Sequence, residues 1–262
     1  MREASAATRR NRDVRDGRGP VASAGMTDIW AGVRERVLAL RSTPEVMDQV
    51  FGAVWLDGGH RFELAPPLTE AELARAEERL DVTFPADYRS FLLEVAASGA
   101  GPEYGVFPLG PQLTGEQGAA PDAEPRLSRP FRPGPVQELL DEHEENEPRR
   151  AAYADDETYA RAWNAWDARW DELDAELTEG ALCVSHQGCG YYSLLVVTGE
   201  ERGLMWEDVR AVGEGLVRMR RRGADRLTFA EWYLGWLDWA EPRIKAAQRA
   251  EAARTGDVSG AA

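Results

Sequence analysis

Residues able to do chemistry are few in this sequence and poorly spaced for one another. Cys183 and Cys189 flank a glycine turn, with His186 between them. Three ligands without a second pair fall short of a zinc site, and strand alternation predicts Cys183 and His186 on opposite faces. Cysteine–histidine catalysis needs a third group to orient the base, and the spacing identifies none. Gly188-Cys189-Gly190 carries the first two glycines of a dinucleotide fingerprint. Ser193 stands where the third belongs, and a strand follows where a helix is required. These glycines read instead as suppliers of positive φ to a tight turn. His60, after Gly58-Gly59 and beside an apolar patch, reads as structural, and His143 stands far from both other histidines. No phosphate-binding loop, nucleophile elbow or paired zinc motif occurs. The expectation is a protein without enzymatic activity, metal or cofactor, and an enzyme using His186 or His60 lacks positive support.

What the sequence holds in quantity is acid. Its 262 residues sum to a formal charge of −15. Residues 138–179 contain fifteen acids against Arg149, Arg150, Arg161 and Arg169, whereas residues 1–25 contain six arginines against three acids. Such a surface repels phosphate backbones, which excludes general nucleic-acid binding, and it suits a basic protein partner. Charge serving solubility alone is the competing reading. The candidate partner-binding residues are Glu142, Glu145, Asp155, Asp156, Asp167, Asp171 and Asp174. Picking an acid–base pair from this run would be arbitrary. No apolar run reaches membrane-spanning length, no secretory segment opens the chain, and two cysteines make no disulfide scaffold. A soluble cytoplasmic protein is expected, and nothing indicates its oligomeric state.

The elements that must position these residues are easier to read. Residues 1–25 look like a disordered tail, or like sequence upstream of a start at Met26. Residues 26–65 form an N-terminal helical extension, in which Thr27 or Asp28 caps a helix through Ile29, Val33, Val37 and Leu40 that Pro44 stops. Thr69 and Glu72 predict a capping box, with Leu68 and Leu73 as its hydrophobic staple. A second helix runs through Tyr88, Phe91, Leu92 and Val95 and closes at Gly99. Tyr104–Leu109 reads as a short strand, 111–135 as a flexible loop with six prolines and three glycines, and 136–147 as a short acidic helix.

Tyr159, Trp163, Trp166, Trp170, Leu173 and Leu177 then mark one face of a long helix. That stripe either seats the helix on the domain's own sheet or forms a seam for a partner. Ala181–His186, Tyr191–Thr198 and Leu204–Val209 read as an antiparallel meander. Thr228 and Glu231 predict a second capping box, opening an aromatic helix that Pro242 interrupts, with residues 242–262 as a frayed tail. Tyr88, Phe91, Leu194, Val196, Trp206 and Trp232 are expected to share one core.

The stretch Pro66-Pro67-Leu68-Thr69-Glu70, then Phe84-Pro85-Ala86-Asp87-Tyr88-Arg89-Ser90-Phe91-Leu92 closing on Gly99, resembles the N-terminal helical hairpin of the SUKH superfamily. That group includes the Smi/Knr fungal cell-wall regulators and many bacterial immunity proteins. The pair of strands from Cys183 to Val197, Gly203-Leu204-Met205-Trp206 and the helix opened by Thr228-Phe229 agree with it. The resemblance implies a single α+β domain over residues 66–241, with helices packed on a largely antiparallel sheet. It implies no catalytic residues. It points to a non-enzymatic protein-binding domain, as an immunity protein that neutralises a basic toxin domain such as a nuclease, or else as a regulatory or scaffolding module for an endogenous protein.

Overall fold

The computed structural model describes residues 29–55, 59–109, 126–221, 223 and 225–259. The N-terminal stretch 1–25, the cap candidates Thr27 and Asp28, and the first part of the proline-rich loop lie outside them. The chain is an α+β fold. Helices α1 (Val33–Leu38) and α2 (Pro44–Met47) lead into the hairpin of α3 (Glu70–Arg79) and α4 (Ala86–Glu94). A second hairpin, α5 (Pro133–Glu145) and α6 (Asp156–Glu176), precedes four strands: β1 (Ala181–Gly188), β2 (Tyr191–Val196), β3 (Met205–Asp208) and β4 (Leu216–Arg218). The long helix α7 (Phe229–Ser259) ends the described chain.

Both capping boxes form. The Thr69 hydroxyl accepts from the Glu72 amide at 3.3 Å, and the Glu72 carboxylate accepts from the Thr69 amide at 2.8 Å. Thr228 and Glu231 repeat the exchange at 3.2 and 2.9 Å. One carboxylate couples the two capped regions: Asp87 accepts from the Tyr88 amide of α4 and from the Ala230 amide of α7. Both amides belong to helix first turns, whose N–H groups lack intrahelical acceptors. The Asp87 carbonyl also accepts from the Trp30 indole, which brings the N-terminal segment to the same point. The N-terminal extension contributes to the main core, with Trp30, Val33, Val37, Leu40, Val50 and Phe62 buried beside Phe91 and Tyr233, while Phe51 and Trp55 stay exposed.

The sheet is an antiparallel meander in the order β1-β2-β3-β4, in which β4 extends the three-strand meander that the sequence suggests. It separates two cores rather than closing over one. Leu182, Val184, Leu195 and Met205 face the main core with Tyr88, Phe91 and Trp232. Leu194, Val196 and Trp206 face the other way, against Phe131 and Ala181. Alternation demands this outcome, because a sheet covered on both sides buries odd and even positions in different places.

Three further expectations change. Tyr104–Leu109 forms no strand; its amides at Tyr104 and Phe107 donate to the His186 and Val184 carbonyls, so it lies along the outer edge of β1. The described end of the 111–135 loop docks, with Leu127 and Phe131 buried and α5 already begun at Pro133. Nor does α7 end at Pro242. Ile244 is fully buried beyond it, and Glu241 is held by Arg36 at 2.7 Å and Lys245 at 2.6 Å. Packing of the next turn outweighs the lost N–H.

Candidate partner-binding face

The acidic segment folds into the α5–α6 hairpin, and its tryptophans are the staples. The His143 ring stacks on Trp166 at 5.2 Å. The Trp166 indole donates to the His143 carbonyl at 2.9 Å, and the His143 ring meets the Trp166 carbonyl at 2.8 Å. Trp170 donates to the Glu144 carboxylate at 3.1 Å. Trp163, Trp166 and Trp170 are half-buried; Trp166 and Trp170 hold the two helices together, and Trp163 packs on Tyr159 and Trp166 within α6. Only the lower end reaches the sheet, where Leu140, Leu173 and Leu177 are buried with Leu216 beside them.

The seven acids named from sequence do not form one patch. Glu142 and Glu145 are exposed on α5, and Asp167 and Asp171 are exposed on α6 without an ion pair among the described residues. Asp155 is the α6 N-cap: it accepts from the Thr158 amide at 2.8 Å, which holds its carboxyl below the usual range. Asp156 pairs with Arg150 at 2.6 Å. Asp174 departs furthest from the expected free carboxylate face. It is half-buried and pairs with Arg210 at 2.6 Å.

Arg210 was not anticipated. Its guanidinium grips the buried Asp208 through two hydrogen bonds of 2.9 and 2.7 Å while holding Asp174 and the Asp174 carbonyl. Burial works against its charge, but the bonds to Asp208 and the attraction of both carboxylates prevail and keep it firmly protonated. This clamp fixes α6 to the end of β3, beside a cleft of about 680 Å³ lined by Trp170, Leu177, Trp206 and Leu216 among others.

The cysteine–histidine group has a different geometry from the expected one. β1 pairs Cys183 with Leu194 and Ser185 with Ser193, so Val184 is the extra residue of a bulge. Cys183 and His186 therefore share a face. Burial pushes the Cys183 thiol up to about 12, a poor nucleophile at neutral pH. The His186 ring stacks on Tyr104 at 5.5 Å and lies tilted against Tyr192 at 4.9 Å. Cys189 sits in the turn with φ 54°, between glycines at 95° and 78°. No cluster of three metal-capable side chains occurs among the described residues.

A second unanticipated residue is Glu103, half-buried in a left-handed conformation at φ 58°. Gly52 permits it, since any Cβ there would collide with the Glu103 carbonyl. The Ser193 hydroxyl donates to its carboxylate at 2.7 Å. Burial still pushes that carboxyl up to about 7, and nearby Glu207 adds to the rise. A carboxyl raised from 4.5 favours the fold fully below pH 4.5, and that contribution is lost as pH climbs through 7. His60, buried and lowered from 6.5 to about 4, acts oppositely: its contribution is present above 6.5 and lost as pH falls through 4. The two offset one another in mildly acidic solution. Glu103→Gln should therefore gain stability over wild type by about 2–3 kcal/mol as pH rises from 4 to 8. Urea denaturation of both proteins across that range checks it; parallel curves would show that Glu103 does not titrate this way.

The comparisons with known proteins bear on the whole arrangement. No curated protein and no solved structure matches the chain. Among the described residues, no helix is long and apolar enough to cross a membrane. Residues 67–210 match the SMI1 / KNR4 family (SUKH-1). That match runs from the Leu68 staple and the α3 capping box through both hairpins and three strands to Arg210, and with more than half of its residues so covered the chain belongs to this family.

Proposed function

We propose that this chain is a non-enzymatic protein-binding domain whose α5–α6 hairpin receives a basic partner in the cytoplasm. In its most specific form the reading is an immunity protein that neutralises a basic toxin domain such as a nuclease. Family membership supports the general role, because the family acts through protein partners and is generally non-enzymatic. The carrying observation is the display of Glu142, Glu145, Asp167 and Asp171, exposed on helices locked by the His143–Trp166 and Trp170–Glu144 contacts. Fixed carboxylates on a rigid surface steer an oppositely charged protein without further ordering.

Affinity capture from the native cell identifies the partner, and stopped-flow mixing measures its association. Reversing Asp167 and Asp171 to lysine should slow association several-fold, and added salt should mimic the change. Thermal stability should stay nearly constant, since isolated exposed charges contribute little. Asp174 is left out because its reversal would break the Arg210 clamp. An association rate indifferent to both salt and reversal would remove the acidic hairpin from the interface. A cellular regulator as the captured protein would point to the scaffolding role instead of toxin neutralisation.

A further inference from the structure

The cleft of about 680 Å³ opens where the α5–α6 hairpin meets the end of the sheet. Sites that enclose a ligand span roughly 300–1,000 Å³, so this one has room for more than one side chain. Its floor is apolar: Leu140 from α5, Trp170 from α6, Leu177 at the end of that helix, Trp206 from β3 and Leu216 from β4. Four elements converge here, yet Trp170 and Leu216 stay only half-buried. Val212, beside the lining residue Gly213, is 56% exposed. The rim is acidic. Asp141 accepts from the Gln137 side-chain amide at 2.7 Å, Glu144 accepts from the Trp170 indole at 3.1 Å, and Glu214 is exposed between β3 and β4. None of these three carboxylates has an ion pair among the described residues. Arg210 also lines the cleft, but Asp208 and Asp174 already occupy it.

We infer that this cleft takes an apolar side chain of a protein partner, flanked by arginines or lysines that meet Asp141, Glu144 and Glu214. Charge complementarity selects this occupant, because a neutral or acidic segment seated on the floor would desolvate the rim carboxylates without supplying a cation. The inference rests on the reading of the hairpin as the face that receives a basic partner, and it adds the point at which that partner is anchored. Rim charges act at a distance and speed encounter, while an apolar anchor in a desolvated pocket sets how long the complex lasts. Arg210 contributes as a positioning residue: by tying α6 to the end of β3 it keeps the two walls at a fixed spacing, so the anchor enters a preformed cleft.

The test titrates the full chain, with ¹⁵N-labelled indoles, against three peptides: acetyl-Arg-Leu-Arg amide, acetyl-Glu-Leu-Glu amide and acetyl-Arg-Gly-Arg amide. The Trp170 resonance, identified by its loss in Trp170→Phe, reports on the cleft because its N–H is bonded to the rim carboxylate of Glu144. The first peptide should shift it saturably. The second should not, and the third should bind about ten-fold more weakly for want of the buried leucine. Asp141→Lys with Glu214→Lys should abolish the response, whereas Asp167→Lys with Asp171→Lys should leave most of it. No saturable shift, an equal response to the glutamate peptide, or an equal affinity for the glycine peptide would overturn the inference. These comparisons use the unaltered chain, so they decide the matter even if a variant fails to fold. Should the peptides fail while reversal of Asp167 and Asp171 still slows association of the captured partner, the anchoring cleft is overturned and the outer acidic face stands.

Discussion

Phe229→Ala should lower the free energy of unfolding by about 3–5 kcal/mol, as truncation of a fully buried aromatic does. Phe229 has no exposed surface, and it is the first residue of α7. Its ring lies 4.8 Å from Tyr88 and 5.1 Å from Phe91, both on α4, and 6.2 Å from Trp30. One side chain thus joins the late helix, the early hairpin and the N-terminal segment. The cavity left by alanine cannot collapse easily, because three separate elements would have to move together. Phe229→Leu keeps most of the volume and should cost less than half as much. Urea denaturation of the three proteins checks both values, and a loss below about 1 kcal/mol for the alanine variant would mean that these elements do not share a core.

Arg210→Ala should be nearly as damaging, for an electrostatic reason. It leaves Asp208, 5% exposed, with no cation, and it frees Asp174 from the clamp. Breaking one side of a buried pair costs about 3–5 kcal/mol, mostly through the stranded charge. The pair with Asp208→Asn should therefore recover a large part of the loss. A double-mutant cycle followed by chemical denaturation measures that coupling. Additive losses would show that Arg210 acts by packing alone. Because the clamp fixes the end of α6, the alanine variant should also expose the hairpin to proteolysis before the rest of the domain.

The parts of this fold that the sequence discloses are those governed by neighbours in the chain. The Thr69–Glu72 and Thr228–Glu231 boxes close over four residues, so they are readable from residue types alone. The long tryptophan helix and the meander are legible for the same reason, through periods of 3.6 and 2. What escapes depends on the sheet as a whole. Leu194 and Trp206 look like company for Phe91 until one knows that both sides of the sheet are covered. A single extra residue, Val184, reverses the face assignment of His186, and no periodicity announces it. Asp174 follows Asp171 by one helical turn, yet one is clamped and the other free, because Arg210 arrives from 36 positions away. Glu103 lies in the unremarkable run Gly101-Pro102-Glu103-Tyr104-Gly105, and its role comes wholly from β2 and β3 folding beneath it.

The covering of β1 by Tyr104 and Phe107 has a consequence for how anything can attach to this protein. Those two amides occupy the His186 and Val184 carbonyls, so the β1 margin offers little main chain to a newcomer. The opposite margin, β4, is three residues long and ends at Arg218, followed closely by Arg220 and Arg221. Short, positively charged margins resist extension of a sheet by another chain. Binding by strand addition, in which main-chain ladders provide most of the affinity, is thereby disfavoured at both ends. A partner must be recognised through side chains, and so by its sequence, and the same protection keeps copies of this domain from polymerising through their sheets.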